Sequence, residues 1–308
     1  MKHKHSRLNT LVGCLLAALL AVYSHTSTAA EEITRTLDDQ RQYLLYIPSS
    51  YQATKPTPLV LFFHGGGGHM QQAANAYGWR EKAEQEGFIV AFPNGTSGLR
   101  KQHLLATWNA GNCCGFARDE QVDDVGFVKQ VLADIKRQVT IDSQRIFATG
   151  MSNGGMMSHR LACEMADTFR AIAAVAGTDN TQTCQPSRPI AVLHIHAKDD
   201  THVLFDGGAG EDAFRDVSKV TDFTSVNETI SRWVKRNGLN PAPQQERSIP
   251  GADLERYAAN NHPAQVWLVA TETGGHSWPG GKRVRGKQPS RAIDATDFIW
   301  RFFSNTSR

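Results

Sequence analysis

The sequence has no apolar run long enough to cross a membrane: its longest, Leu11 to Val22, covers about twelve residues where a spanning helix needs roughly 20. It has no Cys-x-x-Cys, so the cysteine-pair frameworks of structural zinc sites are excluded. It has no internal repeat and no low-complexity linker, which argues against a solenoid or tethered modules. Excess charge of one sign is missing too, since 33 Lys+Arg against 30 Asp+Glu leave a formal +3 over 308 residues. The one basic cluster, Lys282 to Lys287, carries no interleaved aromatics, so nucleic acid is not an expected partner.

What is present starts at the amino terminus. Met1-Lys2-His3-Lys4-His5-Ser6-Arg7 is basic, the run from Leu11 to Val22 is apolar, and Ser27-Thr28-Ala29-Ala30 is made of small residues. That is the layout of a secretory signal peptide, with cleavage expected after Ala30. Residues 31–308 are then one exported domain, secreted or periplasmic, with no membrane attachment after cleavage. Leu11-Val12-Gly13-Cys14 has the letters of a lipoprotein box, but it opens the apolar run instead of following it, so lipidation is not expected. Losing Cys14 leaves Cys113, Cys114, Cys163 and Cys184, an even number that favours disulfides in an oxidising compartment. Three pairings exist. Bridging the neighbours Cys113 and Cys114 would strain the peptide between them, so each is expected to reach a different partner among Cys163 and Cys184.

Short apolar runs alternate with longer helical patterns. The runs are Tyr43-Ile47, Leu59-Phe63, Phe88-Phe92, Arg145-Thr149, Ala171-Ala176, Ile190-His196 and Val266-Ala270; the helical stretches lie near Asn75-Glu86, Asp123-Val139, Gly155-Ala166, Val226-Arg236 and Ala292-Phe303. This predicts an α/β fold with a mostly parallel central sheet and helices on both faces. Ligands and reacting groups gather at the carboxyl ends of such strands, and three of the loops there carry chemistry.

After Arg145-Thr149 comes Gly150-Met151-Ser152-Asn153-Gly154-Gly155 and then a helical pattern, the strand-turn-helix context of a nucleophile elbow. A serine hydroxyl needs a base, and the base needs an orienting acid. After Ile190-His196 the chain offers Asp199 and Asp200, with Asp206 further on; spacing alone does not separate the first two, and solvated turn residues are the alternative. The last strand leads through Thr271-Glu272-Thr273-Gly274-Gly275 to His276, whereas His262 precedes that strand and belongs to the wrong edge. Ser152, Asp200 and His276 follow the chain order of nucleophile, acid and base. For the oxyanion, Leu59-Phe63 ends in His64-Gly65-Gly66-Gly67-Gly68; Asn153 N–H and the N–H of Gly66 or Gly67 are the expected donors. A phosphate loop would end Gly-Lys-Ser/Thr, and His69-Met70 does not.

These residues resemble the extracellular polyhydroxybutyrate depolymerase and feruloyl esterase-like family, related to carbohydrate esterase family one. The likeness runs from His64-Gly65 through Trp108-Asn109-Ala110-Gly111-Asn112-Cys113-Cys114-Gly115, Val122-Asp123-Asp124-Val125-Gly126-Phe127 and Gly150-Met157 to His194-Ile195-His196 with Asp200 and Gly275-His276-Ser277-Trp278-Pro279-Gly280-Gly281. It implies an α/β-hydrolase fold and a triad of Ser152, Asp200 and His276, favouring Asp200 over Asp199. Two departures are Ala197, where many relatives have Gly, and Leu239, where many have Cys; neither removes a catalytic group.

Other residues have competing readings. Asp123-Asp124 opens a helix and is read as N-terminal capping. Trp108 and Trp278 fall in loops near the expected site, where they would line an acyl or aryl pocket or else pack in the core. Only Gly177 to Pro189 joins the strand after the nucleophile helix to the strand bearing the acid, so no large cap domain is expected there. An open cleft suits esters on a chain or polysaccharide, and without a Thr-rich linker or adsorption domain the expectation leans to soluble, oligomeric or polysaccharide-linked esters. The expected activity is serine ester hydrolysis without a cofactor, on polyhydroxyalkanoate or on feruloyl or acetyl esters. Acyl transfer to another acceptor would use the same triad. A metal-dependent hydrolase would instead use His194, His196 and Asp200, with Asp199 and His202 close by.

Overall fold

The computed structural model describes residues 29–98, 105–213, 221–259, 264–283 and 287–306. The expected signal segment 1–28, His262 and part of the Lys282 to Lys287 cluster lie outside the described residues. Ten strands form one sheet: β1 (Glu31–Thr36), β2 (Gln42–Ile47), β3 (Thr57–Phe63), β4 (Ile89–Pro93), β5 (Ile141–Met151), β6 (Ala171–Val175), β7 (Ala191–Ala197), β8 (Gln245–Ile249), β9 (Ala252–Tyr257) and β10 (Val266–Thr271). Their order is β1-β2-β4-β3-β5-β6-β7-β10-β9-β8. The six from β4 to β10 run parallel, and an antiparallel pair closes each edge.

Both faces of the parallel centre are covered, which is why its strands read as continuous apolar runs: every residue of β3, β4, β6 and β7 is buried. Leu61, Ala148, Ile172 and Val192 point to a layer built by α4 (Asp124–Gln138), α5 (Asn153–Glu164) and α6 (Val226–Arg236). Their neighbours Val60, Phe62, Ala173 and Leu193 point to α1 (Met70–Ala76), α2 (Trp79–Glu86) and α7 (Ala295–Thr306). A short α3 (Gly115–Asp119) follows the cysteine pair. The segment expected as one helix over Asn75-Glu86 breaks in two because Gly78 takes a left-handed φ of 71° and starts α2 afresh. The connection from β6 to β7 contains no helix or strand.

Two expectations are corrected here. Asp123 does cap α4, accepting from Gly126 N, but Asp124 turns inward: it is fully buried, pairs with Arg41 at 2.6 Å and accepts from Asn109 N at 2.7 Å. The disulfides are Cys113–Cys114, across a cis peptide, and Cys163–Cys184, not cross-links between those two pairs. Cys163 near the end of α5 and Cys184 in the loop after β6 stand 5.0 Å apart at Cα, within disulfide span. Cys113 and Cys114 are held instead in the 108–114 loop, where Cys114 N donates to Trp108 O at 3.1 Å.

Candidate active site

Ser152 stands between β5 and α5 with φ 56° and ψ −124°, a backbone geometry that costs a non-glycine residue about 1–3 kcal/mol. Its surroundings hold it there: Ser152 N donates to Val175 O at 2.8 Å and Met156 N to Ser152 O at 2.9 Å. The flanking glycines are steric requirements. A Cβ on Gly150 would meet Phe63 O at 2.5 Å and Gly154 backbone at 2.6 Å, and one on Gly154 would overlap the carbonyls of Phe63 and His64. The elbow is thus pressed against the end of β3, where the glycine loop begins.

The structure brings Ser152, His276 and Asp200 into one line. His276 Nε2 lies 2.8 Å from Ser152 Oγ, and its Nδ1 lies 2.8 Å from Asp200 Oδ2. Since the carboxylate only accepts, Nδ1 carries the proton and Nε2 is free to accept from the serine hydroxyl. The Asp200 side chain is fully buried while His276 keeps 13% exposure, so solvent reaches the base and not the acid. Burial by itself would raise the Asp200 carboxyl, but hydrogen bonds from His196 and His276 outweigh it and hold the group well below the usual carboxylate range. Asp200 Oδ1 accepts from the backbone N–H of His202 at 2.8 Å and Val203 at 3.1 Å, which fixes the turn after β7.

Asp199 does not face the histidine ring. Its Oδ1 accepts from Gly275 N at 2.7 Å and its Oδ2 pairs with Lys287 at 3.1 Å, so it braces the loop that carries His276. Asp206 is exposed and lines a polar cleft that includes none of the three aligned residues. Gly274 and Gly275, at φ 133° and 58°, let that loop double back to place the imidazole over Ser152.

For the oxyanion, Asn153 heads α5, where first-turn N–H groups point out of the helix toward the site. Its buried side chain is clamped by Trp108, accepting from the backbone N at 2.7 Å and donating to the O at 3.0 Å. The glycine loop approaches closely, since a Cβ on Gly65 would lie 3.5 Å from Ser152 Cβ. Gly67 is corrected as a donor because its N–H is spent on Ala106 O at 2.8 Å, leaving Gly66 of the two. His64 shapes the start of this loop. Gly95 N donates to its Nε2 at 2.9 Å, so its Nδ1 carries the proton and donates to Gly65 O at 2.8 Å; burial lowers this imidazole to about 4 and keeps it neutral.

Trp108 is a core residue, whereas Trp278, also buried, borders a cleft that Tyr77, Gly78 and Gly280 line with it. Trp108 is fully buried, edge-on to Phe63, and its Nε1 donates to His64 O at 2.9 Å. Trp278 is 4% exposed, packs on Phe62 and Tyr77, and donates to Thr296 Oγ1 at 3.0 Å. Each indole N–H finds an internal acceptor, as burial of tryptophan requires.

The expected metal cluster of His194, His196 and Asp200 does not converge either. His194 Nε2 and His196 Nδ1 face each other at 3.1 Å, and His196 Nε2 faces Val203 O at 2.8 Å. Among the described residues the ligand atoms that do come together belong to Asp200, His202 and His276. The His202 and His276 rings stack at 4.5 Å and 11°, so an ion between them would lie out of both ring planes, away from the nitrogen lone pairs. Sequence reading missed three supports: His196 behind Asp200, His202 stacked on His276, and Asp199 under Gly275. Only the spacing of four between His196 and Asp200 was visible beforehand.

A parallel sheet of this order, with a nucleophile elbow after β5 and a histidine after the last parallel strand, defines the α/β-hydrolase class of ester hydrolases. Solved structures agree on the fold: an acetyl xylan esterase from Aspergillus awamori (TM-score 0.59, 15% identity, covering 89% of this chain and 98% of that one) and a ferulic acid esterase from Anaeromyces mucronatus (TM-score 0.52, 12% identity, 88% of each). Residues 41–226 match the model of the family described as Esterase PHB depolymerase, and the chain belongs to that family. Curated relatives include feruloyl esterase B of Piromyces equi, 30% identical over 79% of this chain and 44% of its own length. Feruloyl esterase C of Emericella nidulans is 31% identical over 85% and 83%. The chain thus spans less than half of the Piromyces relative and most of the Emericella one.

Proposed function

We propose that the chain is an exported serine esterase that hydrolyses feruloyl or acetyl esters of soluble oligosaccharide or polysaccharide through an acyl-enzyme. The observation that carries this reading is the continuous hydrogen-bonded line Asp200–His276–Ser152 at the head of α5. His276 Nε2 takes the hydroxyl proton as Ser152 Oγ attacks the ester carbonyl carbon. The oxyanion that forms is met by the N–H groups of Asn153 and Gly66. Asp200 stabilises the imidazolium through Nδ1–H. Collapse breaks the ester C–O bond, and the leaving alcohol takes the proton from Nε2. Water then gives its proton to Nε2, attacks the acyl-serine and releases the acid.

Relatives, an uncovered site and a polar cleft support the substrate class. Two of the curated relatives are named feruloyl esterase B and feruloyl esterase C, and the β6 to β7 connection has no helix or strand to close over the serine. A polar cleft of about 480 Å³, lined by Asn112, Asn180, Gln182, Asp222 and Arg232 among others, suits a hydroxyl-rich alcohol. It lies one loop from the elbow, since Asn112 N donates to Asn180 O and Cys113 Sγ contacts the Asn153 side chain. Export is supported by the basic, apolar and small-residue order of 1–30 and by the two disulfides. Purified chain 31–308 should be assayed on feruloyl, acetyl and 3-hydroxybutyrate esters, the first two carried on xylo-oligosaccharide. Higher kcat/KM on the sugar esters is the expected result; preference for hydroxybutyrate oligomers would reject the substrate class and leave the chemistry standing.

A further inference from the structure

Behind Asp200 the fold buries two imidazoles that the acyl-transfer steps do not use. His194 and His196 project from the same face of β7, 0% and 1% exposed, with ring centroids 5.3 Å apart and planes at 21°. An apolar pair would pack on this central strand without the desolvation that two buried imidazoles incur.

Their hydrogen bonds fix which nitrogens carry protons. The Val203 carbonyl can only accept, and it lies 2.8 Å from His196 Nε2, so that nitrogen is the donor. The same Nε2 stands 3.3 Å from Asp200 Oδ2, the oxygen that also receives His276 Nδ1–H. His196 Nδ1 then accepts from His194 Nε2 at 3.1 Å. That leaves His194 Nδ1 as the bare nitrogen, and it is buried without a hydrogen-bond partner among the described residues. Burial holds His194 well below the ordinary imidazole range, in keeping with a neutral ring. Phe205 lies edge-on to His196 at 6.0 Å and 85°, covering the ring on another side.

We infer that His196, with its tautomer set by His194, is a positioning residue for Asp200: one N–H ties the Val203 carbonyl and the Asp200 carboxylate into the turn that presents the acid to His276. Other bonds reach this turn at Asp199, Thr201 and His202, but they do not touch the Asp200 carboxylate. Among the described residues, Asp200 Oδ1 is held by N–H groups from within the turn itself, at His202 and Val203. His196 is the side chain that links both ends of this turn, at Val203 O and Asp200 Oδ2, to the central sheet. Without its donor the buried Val203 carbonyl loses its partner and the turn is free to shift. A displacement of about 1 Å at such a site lowers turnover by up to about a hundredfold while leaving substrate affinity nearly intact.

This role rests on the esterase reading above, so Ser152→Ala is measured beside it. His196→Leu is expected to lower kcat about 10- to 100-fold with KM within about threefold of the original. His196→Gln, whose amide nitrogen reaches the place of Nε2, is expected to recover most of that loss, and the shorter His196→Asn is not. If Leu does not fold, the Gln and Asn variants decide between them: equal kcat in the two overturns the role. A folded His196→Leu with wild-type kcat, or with only KM raised, also overturns it. Nitrogen-15 NMR of histidine-labelled wild-type protein should show His196 protonated at Nε2 and bare at Nδ1; the reverse tautomer contradicts the arrangement without any variant. If Ser152→Ala retains turnover, the esterase reading itself has failed, a result the His196 variants alone do not produce.

Discussion

Replacing Asp200 by Asn tests the electrostatics of the site with little change of shape. The Asn carbonyl oxygen can still accept from His202 N and Val203 N, so the turn is expected to persist. The atom beside His276 Nδ1 becomes an NH2 donor, and two consequences follow. The negative charge 2.8 Å from the imidazole disappears, and at an effective dielectric of about 20 a charge pair at that distance is worth about 6 kcal/mol to the imidazolium that forms during attack. His276 is also driven to the wrong tautomer, with its proton on Nε2 facing Ser152, where it cannot take the hydroxyl proton. At about 1.4 kcal/mol per decade, 6 kcal/mol corresponds to roughly four decades of rate. That agrees with the loss of about 10⁴ in kcat known for Asp-to-Asn changes in serine-protease triads. The assay is kcat on a chromogenic acetyl ester near neutral pH, with thermal unfolding as a check on folding. Asp199→Asn is the control. It keeps an acceptor for Gly275 N and loses only a half-exposed pair with Lys287, worth at most about 1 kcal/mol, so less than about fivefold is expected. A larger loss from Asp199→Asn than from Asp200→Asn would refute the reasoning.

The remaining predictions concern stability and the elbow. His64 and His159 are buried with pKa near 4 instead of 6.5, in both cases chiefly through desolvation. The folded chain therefore refuses protons that the unfolded chain accepts, so stability is complete above pH 6.5 and falls toward pH 4 by roughly 3 kcal/mol per histidine. Urea unfolding at pH 7 and 4.5 measures this; equal midpoints contradict it. Removing the Cys163–Cys184 bridge by double Ser substitution opens a loop of 21 residues' separation and is expected to cost about 3 kcal/mol, read by the same titration. Non-reducing peptide mapping should recover 163 joined to 184 and no peptide joining 113 or 114 to either. Gly154→Ala is expected to yield insoluble or inactive protein, because its Cβ overlaps the Phe63 and His64 carbonyls. Gly66→Ala, with nothing nearer than 3.7 Å, should fold normally as judged by circular dichroism.

The legible part of the molecule was the part governed by pattern. All seven expected runs lie on strands of the sheet, because a strand buried on both faces shows itself as an unbroken apolar stretch. The three strands that escaped lie at the margins of the sheet, β1 and β8 at its two edges and β9 beside β8, and their partly exposed residues, such as Gln245, Glu246 and Arg247, read as loop. Ser152 and His276 were visible through their glycine contexts. The choice between Asp199 and Asp200 was not visible from spacing, since it depends on which carboxylate the turn after β7 rotates inward, a matter of backbone contacts at His202 and Val203. Trp108 stood in the right loop for the wrong reason: it clamps Asn153 and the His64 carbonyl from within the core. The cysteine pairing failed because adjacency was weighed without the fold, which keeps 113 and 114 in one loop and brings 163 and 184 within 5.0 Å at Cα.

The central claim is that Ser152 is the nucleophile. A fluorophosphonate reacts covalently with an activated serine, so the purified chain should be inactivated with one adduct per molecule and digested for tandem mass spectrometry. The label is expected on the peptide containing Gly150-Met151-Ser152-Asn153-Gly154, at Ser152, with loss of ester turnover in step with labelling. Labelling at another serine, or full labelling at Ser152 with turnover preserved, would contradict the account.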